Sequence, residues 1–495
     1  MNSSIVRIII GQVLKVEAAL LLLPCITALV YQEKVGIYYL ITAAACLAVG
    51  FIFTFRKSRN DVFYLKEGLV ATSLSWVVLS IFGAVPFYIS REIPSFVDAL
   101  FETVSGFTTT GSSILTDVEV LSRTALFWRS FTHWVGGMGV LVFLLAIIPL
   151  SGGSNFNLMK AESPGPSVGK LVPKVAYTAR ILYVIYFGIS VIETILLMAG
   201  GMTFYEALLT TFGTAGTGGF GFLNSSMGSF SPYLQWVITI FMILFGVNFN
   251  AYYFILFRKV KKAFQMEEVR AYFLIILIAV AAITGDLVRT MNFSNALRTS
   301  AFQVGSIITT TGFSTADFNT WSQTSRTILV LLMFIGACAG STGGGIKVSR
   351  ILVLIKTVFK ELNSFLHPKS IKKIKMDDKP IEHEVVRATN VYFCSYMIIF
   401  AFSVLLISLE NYDLTTNFTA VAATFNNIGP GLELVGPAAN FSFLNAFSKC
   451  ILIFDMLAGR LELFPLLILF HPGLWKEVFT RKRKIIESRN LDRKK

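Results

Sequence analysis

Long apolar runs separated by short polar loops dominate the pattern of residues along this chain. A helix needs about 20 apolar residues to cross a bilayer. Ten runs approach or exceed this length, near residues 8–31, 37–55, 69–90, 124–149, 177–200, 233–257, 271–291, 326–355, 386–409 and 444–471. The pattern therefore predicts an all-α polytopic membrane protein with ten transmembrane helices.

Four shorter apolar segments alternate with the later runs, and each is followed by a loop that contains glycine. The loops are Thr108-Thr109-Thr110-Gly111, Thr217-Gly218-Gly219, Thr309-Thr310-Thr311-Gly312 and Asn426-Asn427-Ile428-Gly429. A helix of the length of residues 96–107 covers only about 18 Å, whereas the hydrocarbon core is about 30 Å thick. Such a segment must be re-entrant, and its four occurrences indicate equivalent units around one site.

This repeat divides the chain into predicted units. Two leading transmembrane helices lie within residues 1–66. Four units, each with a helix, a short pore helix, a filter loop and a second helix, are assigned to residues 67–150, 151–257, 258–357 and 358–472, and residues 473–495 form a basic cytoplasmic tail.

The chemistry of the four loops favours a monovalent cation. A short helix that ends within the membrane directs its carbonyl end, which carries a partial negative charge, toward the loop. Glycine adopts positive φ without steric cost, so the loop carbonyls can turn toward a common axis. Rings of carbonyls can replace the hydration shell of a monovalent cation, and no ring of Asp or Glu is present at these positions for a divalent ion.

Composition and charge agree with a membrane location. Of the 495 residues, 54% are hydrophobic and 15% are charged, whereas a soluble domain has about 25% charged residues. The loops predicted to be cytoplasmic hold 31 of the 43 Lys and Arg residues, a bias that places both termini in the cytoplasm. The net charge of +14 is thus explained by topology, and Arg481–Lys484 is predicted to contact lipid headgroups, not nucleic acid.

Enzymatic chemistry is not indicated. The five cysteines lie in apolar runs without paired spacing, and the four histidines are scattered, so neither a disulfide framework nor a metal cluster is predicted. The spacing of Gly216, Gly218 and Gly221 matches a dinucleotide fingerprint, but the strand that such a site requires does not precede it.

Motifs beside the loops resemble a known family. These are His133-Trp134-Val135-Gly136-Gly137-Met138-Gly139, Thr214-Ala215-Gly216-Thr217-Gly218-Gly219-Phe220 and Gly340-Ser341-Thr342-Gly343-Gly344-Gly345-Ile346-Lys347. Together with the four loops they resemble the Trk/Ktr/HKT superfamily of potassium transport proteins, and the two leading spans resemble its Trk branch. The resemblance implies potassium uptake across the cytoplasmic (inner) membrane, with potassium as substrate and no covalently bound cofactor.

The resemblance also implies roles and partners. It assigns the selectivity filter to Thr110, Gly111, Gly218, Gly219, Thr311, Gly312, Ile428 and Gly429. Relatives that pass sodium have Ser at the first filter glycine, so Gly111 favours potassium. Gly218 and Ile428 depart from the Thr of the other loops, and the ring is therefore only approximately fourfold. A homodimer and a cytoplasmic nucleotide-binding regulatory subunit of TrkA type are implied as partners.

Two features beneath the filter are candidates for gating. The first is the interruption of the eighth span by Gly336–Gly345, since each of Gly343, Gly344 and Gly345 costs a helix about 1 kcal/mol relative to Ala. It is either a close-packing kink or, by resemblance, an intramembrane gating loop. The second is Arg460 within the last span, which either pairs with a neighbouring carboxylate, Asp455 or Glu462, or faces the pore and opposes cations.

Other polar residues have plainer interpretations. Glu102 and Glu206 are expected to accept local hydrogen bonds, and His133 is expected to be a packed polar residue. A structural partner is favoured over a coupling ion for Glu193 and Asp286.

Two rival functions agree less well with the sequence. A sodium- or proton-coupled secondary transporter of another cation or solute predicts two inverted repeats, whereas the four loops repeat in the same sense. A membrane enzyme or receptor would need an acid–base cluster or a large exposed domain, and the sequence has neither.

Overall fold

The computed structural model describes residues 2–56, 64–139, 175–369 and 373–476, and the basic segment Arg481–Lys484 lies outside them. The chain begins with three apolar helices that precede the repeats. They are α1 (Ser3–Leu20), α2 (Leu22–Tyr31) and α3 (Gly36–Phe55). α1 packs against α3 and against the first helix of the following unit.

The chain then takes the same course four times, with a long helix, a short helix, a loop and a second helix. The first unit contains α4 (Leu65–Ile89), α5 (Phe96–Phe107) and α6 (Arg123–Gly137). The second contains α7 (Val175–Ala199), α8 (Phe204–Ala215), α9 (Pro232–Phe245) and α10 (Phe249–Leu256), and α11 (Val260–Gln265) links it to the third. The third contains α12 (Glu267–Leu287), α13 (Phe293–Ile308), α14 (Gln323–Ile335) and α15 (Val348–Leu366), and the fourth contains α16 (His383–Ile407), α17 (Leu414–Phe425), α18 (Ala446–Arg460) and α19 (Phe464–Leu467).

The remaining regular structure is short. A two-stranded antiparallel hairpin, β1 (Lys375–Met376) and β2 (Lys379–Pro380), lies between α15 and α16. Single 3-10 turns occur at Phe318–Thr320, Ser408–Glu410, Glu433–Val435 and Ile468–Phe470.

Side-chain caps set the start of every short helix and of the helix that follows each loop. A capping oxygen satisfies one of the free N–H groups of the first helical turn. The caps of the short helices are Ser95, Thr203, Asn292 and Asp413, and those of the following helices are Ser122, Ser231, Ser322 and Asn445. The sequence thus encodes the repeat through polar residues as well as through its glycines.

The number of continuous spans differs from the sequence prediction. Within the described ranges, six helices are long and apolar enough to cross a membrane, and a seventh span results if α9 and α10, bent by 93°, are taken together. Apolarity does not reveal breaks within a run. The run 233–257 bends after Phe245, the run 326–355 is interrupted at residues 336–347, and the run 444–471 breaks after Arg460. The run 124–149 passes out of the described residues.

The four units close into a ring through the short helices. Each short helix packs against the long helix that precedes it and against the second helix of its own unit. In addition, the second helix of each unit packs against the short helix of the next, as α6 on α8, α9 on α13, α14 on α17 and α18 on α5. Because the fourth unit returns to the first, the loops that follow the short helices all face one centre.

At Gly136, the backbone of α6 lies in close contact with the end of α5. A Cβ added at Gly136 in α6 would lie 1.9 Å from the Phe107 carbonyl oxygen at the end of α5, whereas one added at Gly188 in α7 would meet nothing within 4 Å. Helix propensity favours Ala over Gly by up to about 1 kcal/mol, but overpacking costs about 1 to 3 kcal/mol.

We therefore expect Gly136→Ala to lower the thermal unfolding temperature of the detergent-purified protein, whereas the control Gly188→Ala leaves it unchanged or raises it. An unfolding temperature of Gly136→Ala at or above that of the wild type would contradict this packing.

Candidate functional site

The loops after the short helices share one backbone conformation. The glycines Gly111, Gly219, Gly312 and Gly429 have φ values of 79, 74, 85 and 104°. Two positions earlier, Thr109, Thr217, Thr310 and Asn427 have φ values of 54, 53, 60 and 56°. A residue with negative φ separates the two in every loop. Alternation of this kind directs successive carbonyls toward the same side of the chain.

A shared hydrogen bond fixes each of these turns. The amide of the residue before the glycine donates to a carbonyl five residues earlier, near the end of the short helix. The pairs are Thr110 to Ser105 at 2.8 Å, Gly218 to Gly213 at 2.9 Å, Thr311 to Ser306 at 2.8 Å and Ile428 to Ala423 at 2.8 Å. These bonds satisfy helix-terminal carbonyls, so the turns follow directly from the way in which the helices end.

The loops meet one another in cyclic order. A Cβ added at Gly111 would lie 1.9 Å from the Gly218 carbonyl oxygen. The corresponding distances are 1.9 Å from Gly219 to Thr311 O, 2.0 Å from Gly312 to Ile428 O and 3.0 Å from Gly429 to Thr110 O. Each glycine therefore faces the carbonyl of the next loop, and all eight residues predicted for the filter come together.

A cavity of about 180 Å3 opens above this ring and is lined by all four glycines. Beside it, Asn224 donates from Nδ2 to Asp117 Oδ1 at 2.8 Å and the Glu119 amide donates to the same oxygen at 2.9 Å. These bonds hold the pKa of Asp117 below its ordinary value. The approach to the ring therefore carries a fixed negative charge at neutral pH.

The segments that follow the four glycines are also linked to one another around the ring. Asn224 joins the first two loops, as described above. The Met227 amide donates to Ser314 O at 2.9 Å, the Asn319 side chain donates to Glu433 O at 3.2 Å, and the Phe441 amide donates to Ser113 O at 2.8 Å. Every junction between neighbouring loops therefore has its own hydrogen bond.

His133 accounts for one departure from the fourfold pattern. Its Nδ1 lies 2.7 Å from Gly106 O, and its Nε2 lies 3.2 Å from the Phe220 amide, so Nδ1 carries the proton and Nε2 accepts. A Cβ added at Gly218 would lie 2.2 Å from His133 Nδ1. The imidazole thus occupies the space in which the second loop would otherwise place a Thr side chain.

A buried ion pair supports the first two loops from behind. Arg129 Nε lies 2.5 Å from Glu102 Oε1, and the side chains are 3% and 0% exposed. Glu102 also accepts from the Ser113 hydroxyl at 2.9 Å and the Ile114 amide at 3.0 Å, while Arg129 donates to Gly221 O at 2.8 Å. Glu102 does accept local hydrogen bonds, as expected, but its ion pair with Arg129 has no signal in the sequence because the two residues lie in different helices.

Residues 336–347 form a loop that contacts the opposite side of the ring. The Gly344 amide donates to Thr310 Oγ1 at 2.6 Å, and the Gly345 amide donates to Asn426 O at 3.1 Å. A Cβ added at Gly343 would lie 2.8 Å from Thr309 O. Lys347, which has φ of 82°, donates from Nζ to Gly343 O. The glycines therefore permit close approach to the loops that follow the short helices.

Arg460 lies between this loop and the end of α6. Its guanidinium donates to Thr342 O at 2.9 Å and to Gly137 O at 2.9 Å, and it also donates to Gly136 O. The carboxylates suggested as its partners are engaged elsewhere, because Glu462 pairs with Arg350 and Asp455 accepts from the Ser403 hydroxyl. The guanidinium thus links the first unit to the loop of the third.

The other candidate carboxylates, Glu206, Asp286 and Glu193, lie in α8, α12 and α7. Glu206 forms a capping box with Thr203 at the start of α8. Asp286 accepts from the Ser322 and Ser325 hydroxyls, which are the structural partners expected for it. Glu193 is buried in α7, and neither of its carboxylate oxygens accepts a hydrogen bond among the described residues, so the structural partner expected for it is not found. Among the described residues, no group of three or more His, Cys, Asp and Glu could hold a metal ion.

Comparison with known proteins gives consistent matches over nearly the whole chain. A family model described as TrkH, cation transport protein, matches residues 37–477. The Trk system potassium uptake protein TrkH of Salmonella typhimurium is 36% identical over 479 residues, which are 95% of this chain and 98% of that protein. The potassium uptake protein TrkG of Escherichia coli is 32% identical over 487 residues, 96% of this chain and 100% of the other.

A solved structure has the same fold. The crystal structure of the potassium transporter TrkH from Vibrio parahaemolyticus matches with a TM-score of 0.86 at 32% identity. The match covers 96% of this chain and 100% of the other.

We expect loss of Arg129 to be more harmful than loss of the whole ion pair. Arg129→Met leaves the Glu102 carboxylate buried without its cation, which costs about 3 to 5 kcal/mol of folding free energy. The double variant Glu102→Gln/Arg129→Met removes both charges and keeps an oxygen for the Ile114 amide. Thermal unfolding in detergent should place the double variant closer to the wild type, and equal unfolding temperatures for the two variants would refute this account.

Proposed function

This chain belongs to the TrkH family of cation transport proteins, and we propose that it takes up potassium across the cytoplasmic membrane through the passage at the centre of its four units. The observation that carries the proposal is the closed ring of four glycines with positive φ around one cavity. The relatives at 36% and 32% identity are named as potassium uptake proteins, which supports potassium as the cation.

We assign the filter to the eight residues at this ring. Thr110, Gly218, Thr311 and Ile428 contribute carbonyls, and Gly111, Gly219, Gly312 and Gly429 allow those carbonyls to approach one axis. A cation that enters from the cavity exchanges its water shell for carbonyl oxygens. Glycine at position 111, where sodium-conducting relatives have Ser, favours potassium over sodium.

The finer architecture follows from the same proposal. We propose ten crossings of the membrane, three of which contain the breaks seen after α9, α14 and α18, and units at residues 67–150, 151–257, 258–357 and 358–472. With residues 1–66 as leading helices and 473–495 as a tail, both termini lie in the cytoplasm, an orientation that the distribution of Lys and Arg supports.

We propose that Gly343, Gly344, Gly345 and Arg460 form the gate beneath the filter. The glycines let the loop contact the filter loops, and the guanidinium places a positive charge close to Thr109. A cation leaving the filter would meet this charge at short range, where screening by water is weak. Displacement of the loop would remove the Thr342 carbonyl oxygen, which accepts a hydrogen bond from Arg460.

The implied partners are proposed on the same basis. A homodimer and a cytoplasmic nucleotide-binding regulatory subunit would assemble with the chain, the latter on the basic inner loops. No covalent cofactor is required, because potassium is the substrate and no bond is made or broken. The rival, a sodium- or proton-coupled secondary transporter of another solute, is not favoured by relatives named for potassium uptake.

The central test is transport by the full-length protein. In a bacterium without its own potassium systems, we expect the wild type to restore growth at low potassium and to take up rubidium. Gly111→Ser should lose potassium over sodium preference by roughly tenfold, because its Cβ would collide with Gly218 O and disturb the carbonyl ring.

Gly221→Ser is the matched control. Gly221 lines the same cavity but has ordinary φ, and a Cβ there would lie no closer than 3.4 Å to its neighbours. Failure of the well-expressed wild type to support growth would refute potassium uptake. An unchanged ion preference of Gly111→Ser would refute the filter assignment alone.

We also expect Arg460→Ala to raise rubidium uptake per molecule several-fold, because it removes a positive charge from the exit path. Arg270→Ala is the control, since it removes the same charge from an exposed site near the start of α12. Uptake would be measured in vesicles with purified protein. Equal uptake by Arg460→Ala and the wild type would show that Arg460 acts only as a structural link.

A further inference from the structure

Glu268, in the first turn of α12, is bonded to both ends of the gating loop. Its Oε1 accepts from the Ala339 amide at 2.6 Å and from the Ser349 amide at 3.1 Å. Ala339 lies in the first half of loop 336–347, and Ser349 is the second residue of α15, which follows the loop. One carboxylate oxygen therefore closes the loop at its base.

The second oxygen of Glu268 connects the loop to the neighbouring unit. Oε2 accepts from Asn248 Nδ2 at 3.2 Å. Asn248 lies at the bend between α9 and α10, and two further bonds join that bend to the loop. The Cys338 amide donates to Gly246 O at 3.1 Å, and the Phe249 amide donates to Gly340 O at 3.0 Å. The bend of the second unit therefore holds the loop in this position, which we call the seated position.

The energetics make the carboxylate and the loop depend on each other. Glu268 is only 5% exposed, and a buried carboxylate is costly unless donors compensate for the lost water. Two of its three donors are backbone N–H groups that are available only when the loop is seated. The Ser349 amide also belongs to the positive end of α15, which favours an anion.

We propose that Glu268 is a positioning residue that holds the loop 336–347 seated beneath the filter, so that its removal releases the loop. The consequence for ion flux rests on the function proposed above, but the position of the loop can be measured independently. Glu268 does not touch the filter loops in any of these contacts, and it acts through Ala339 and Ser349.

The adjacent residue provides a matched control. Glu267 begins the same helix and carries the same charge, but it bonds to Lys356 Nζ at 2.6 Å and accepts from the Asp377 amide at 3.4 Å, close to the β1–β2 hairpin. Glu267→Ala therefore changes charge and helix start as Glu268→Ala does, without removing the bonds to Ala339 and Ser349.

Cys338 reports the position of the loop directly. It is fully buried when the loop is seated. In a background with Cys25, Cys46, Cys394 and Cys450 replaced by Ala, purified full-length protein would be treated with a water-soluble maleimide. We expect Glu268→Ala to increase the rate of Cys338 labelling roughly tenfold, the effect of losing hydrogen bonds to a charged group.

Glu268→Gln keeps an oxygen for the two amides and should give a smaller increase that still exceeds the controls Glu267→Ala and Glu267→Gln. If Glu268→Ala does not yield a monodisperse protein, Glu268→Gln decides the question. The proposal is overturned if labelling of the folded Glu268 variants stays at the wild-type rate, or if the Glu267 controls raise it equally.

Rubidium uptake into vesicles separates this proposal from the proposed function. If both hold, Glu268→Ala increases labelling and uptake per molecule. Increased labelling without uptake by any protein, the wild type included, supports the positioning role and refutes potassium uptake. Uptake by the wild type with unchanged labelling and uptake in the Glu268 variants refutes the positioning role alone.

Discussion

The contact between each loop glycine and the carbonyl of the next loop constrains the rest of this structure. A Cβ added at any of the four glycines would lie 1.9 to 3.0 Å from the carbonyl oxygen of the next loop, so only glycine fits there. Backbone this close cannot belong to a helix or a sheet, so its amides must bond elsewhere. They do so at the carboxyl ends of the short helices, which explains why each loop needs a helix that stops at the same depth.

The four units differ in how they support this ring. In the first and third units, paired threonines bond to each other beneath the loop, Thr108 to Thr110 and Thr309 to Thr311, both at 2.8 Å. In the second unit, the ring of His133 takes the place of the outer threonine. Because the fourth junction is also the widest, at 3.0 Å from Gly429 to Thr110 O, the ring has a common backbone but unequal walls.

Much of this could be predicted from the sequence because it is local. The short helix at residues 96–107, the glycine loops and the interruption near Gly336–Gly345 follow from the lengths of apolar runs and from glycine spacing. The partners of buried charges could not be predicted in this way. Arg129 and Glu102 lie in different helices, and Glu268 meets Ala339 some 71 residues later. The sharp bend after Phe245 could not be predicted, because Gly246 and Asn248 are isolated within an otherwise apolar run of spanning length. The packing of Gly246 against Tyr272 and the capping bond of Asn248 become visible only in the structure.

The arrangement of charge beneath the ring connects these observations. Lys347, Arg350 and Arg460 lie near the loop, whereas Glu268 and Glu462 are the carboxylates beside them. Arg350 is paired with Glu462, and Glu268 is occupied by backbone amides. Lys347 and Arg460 donate to carbonyls of the loop and of α6. Arg460, at the end of α18, therefore joins the loop to α6. Because these bonds lie beside the ring, a movement of the loop would also change the hydrogen bonding of Lys347 and Arg460 there.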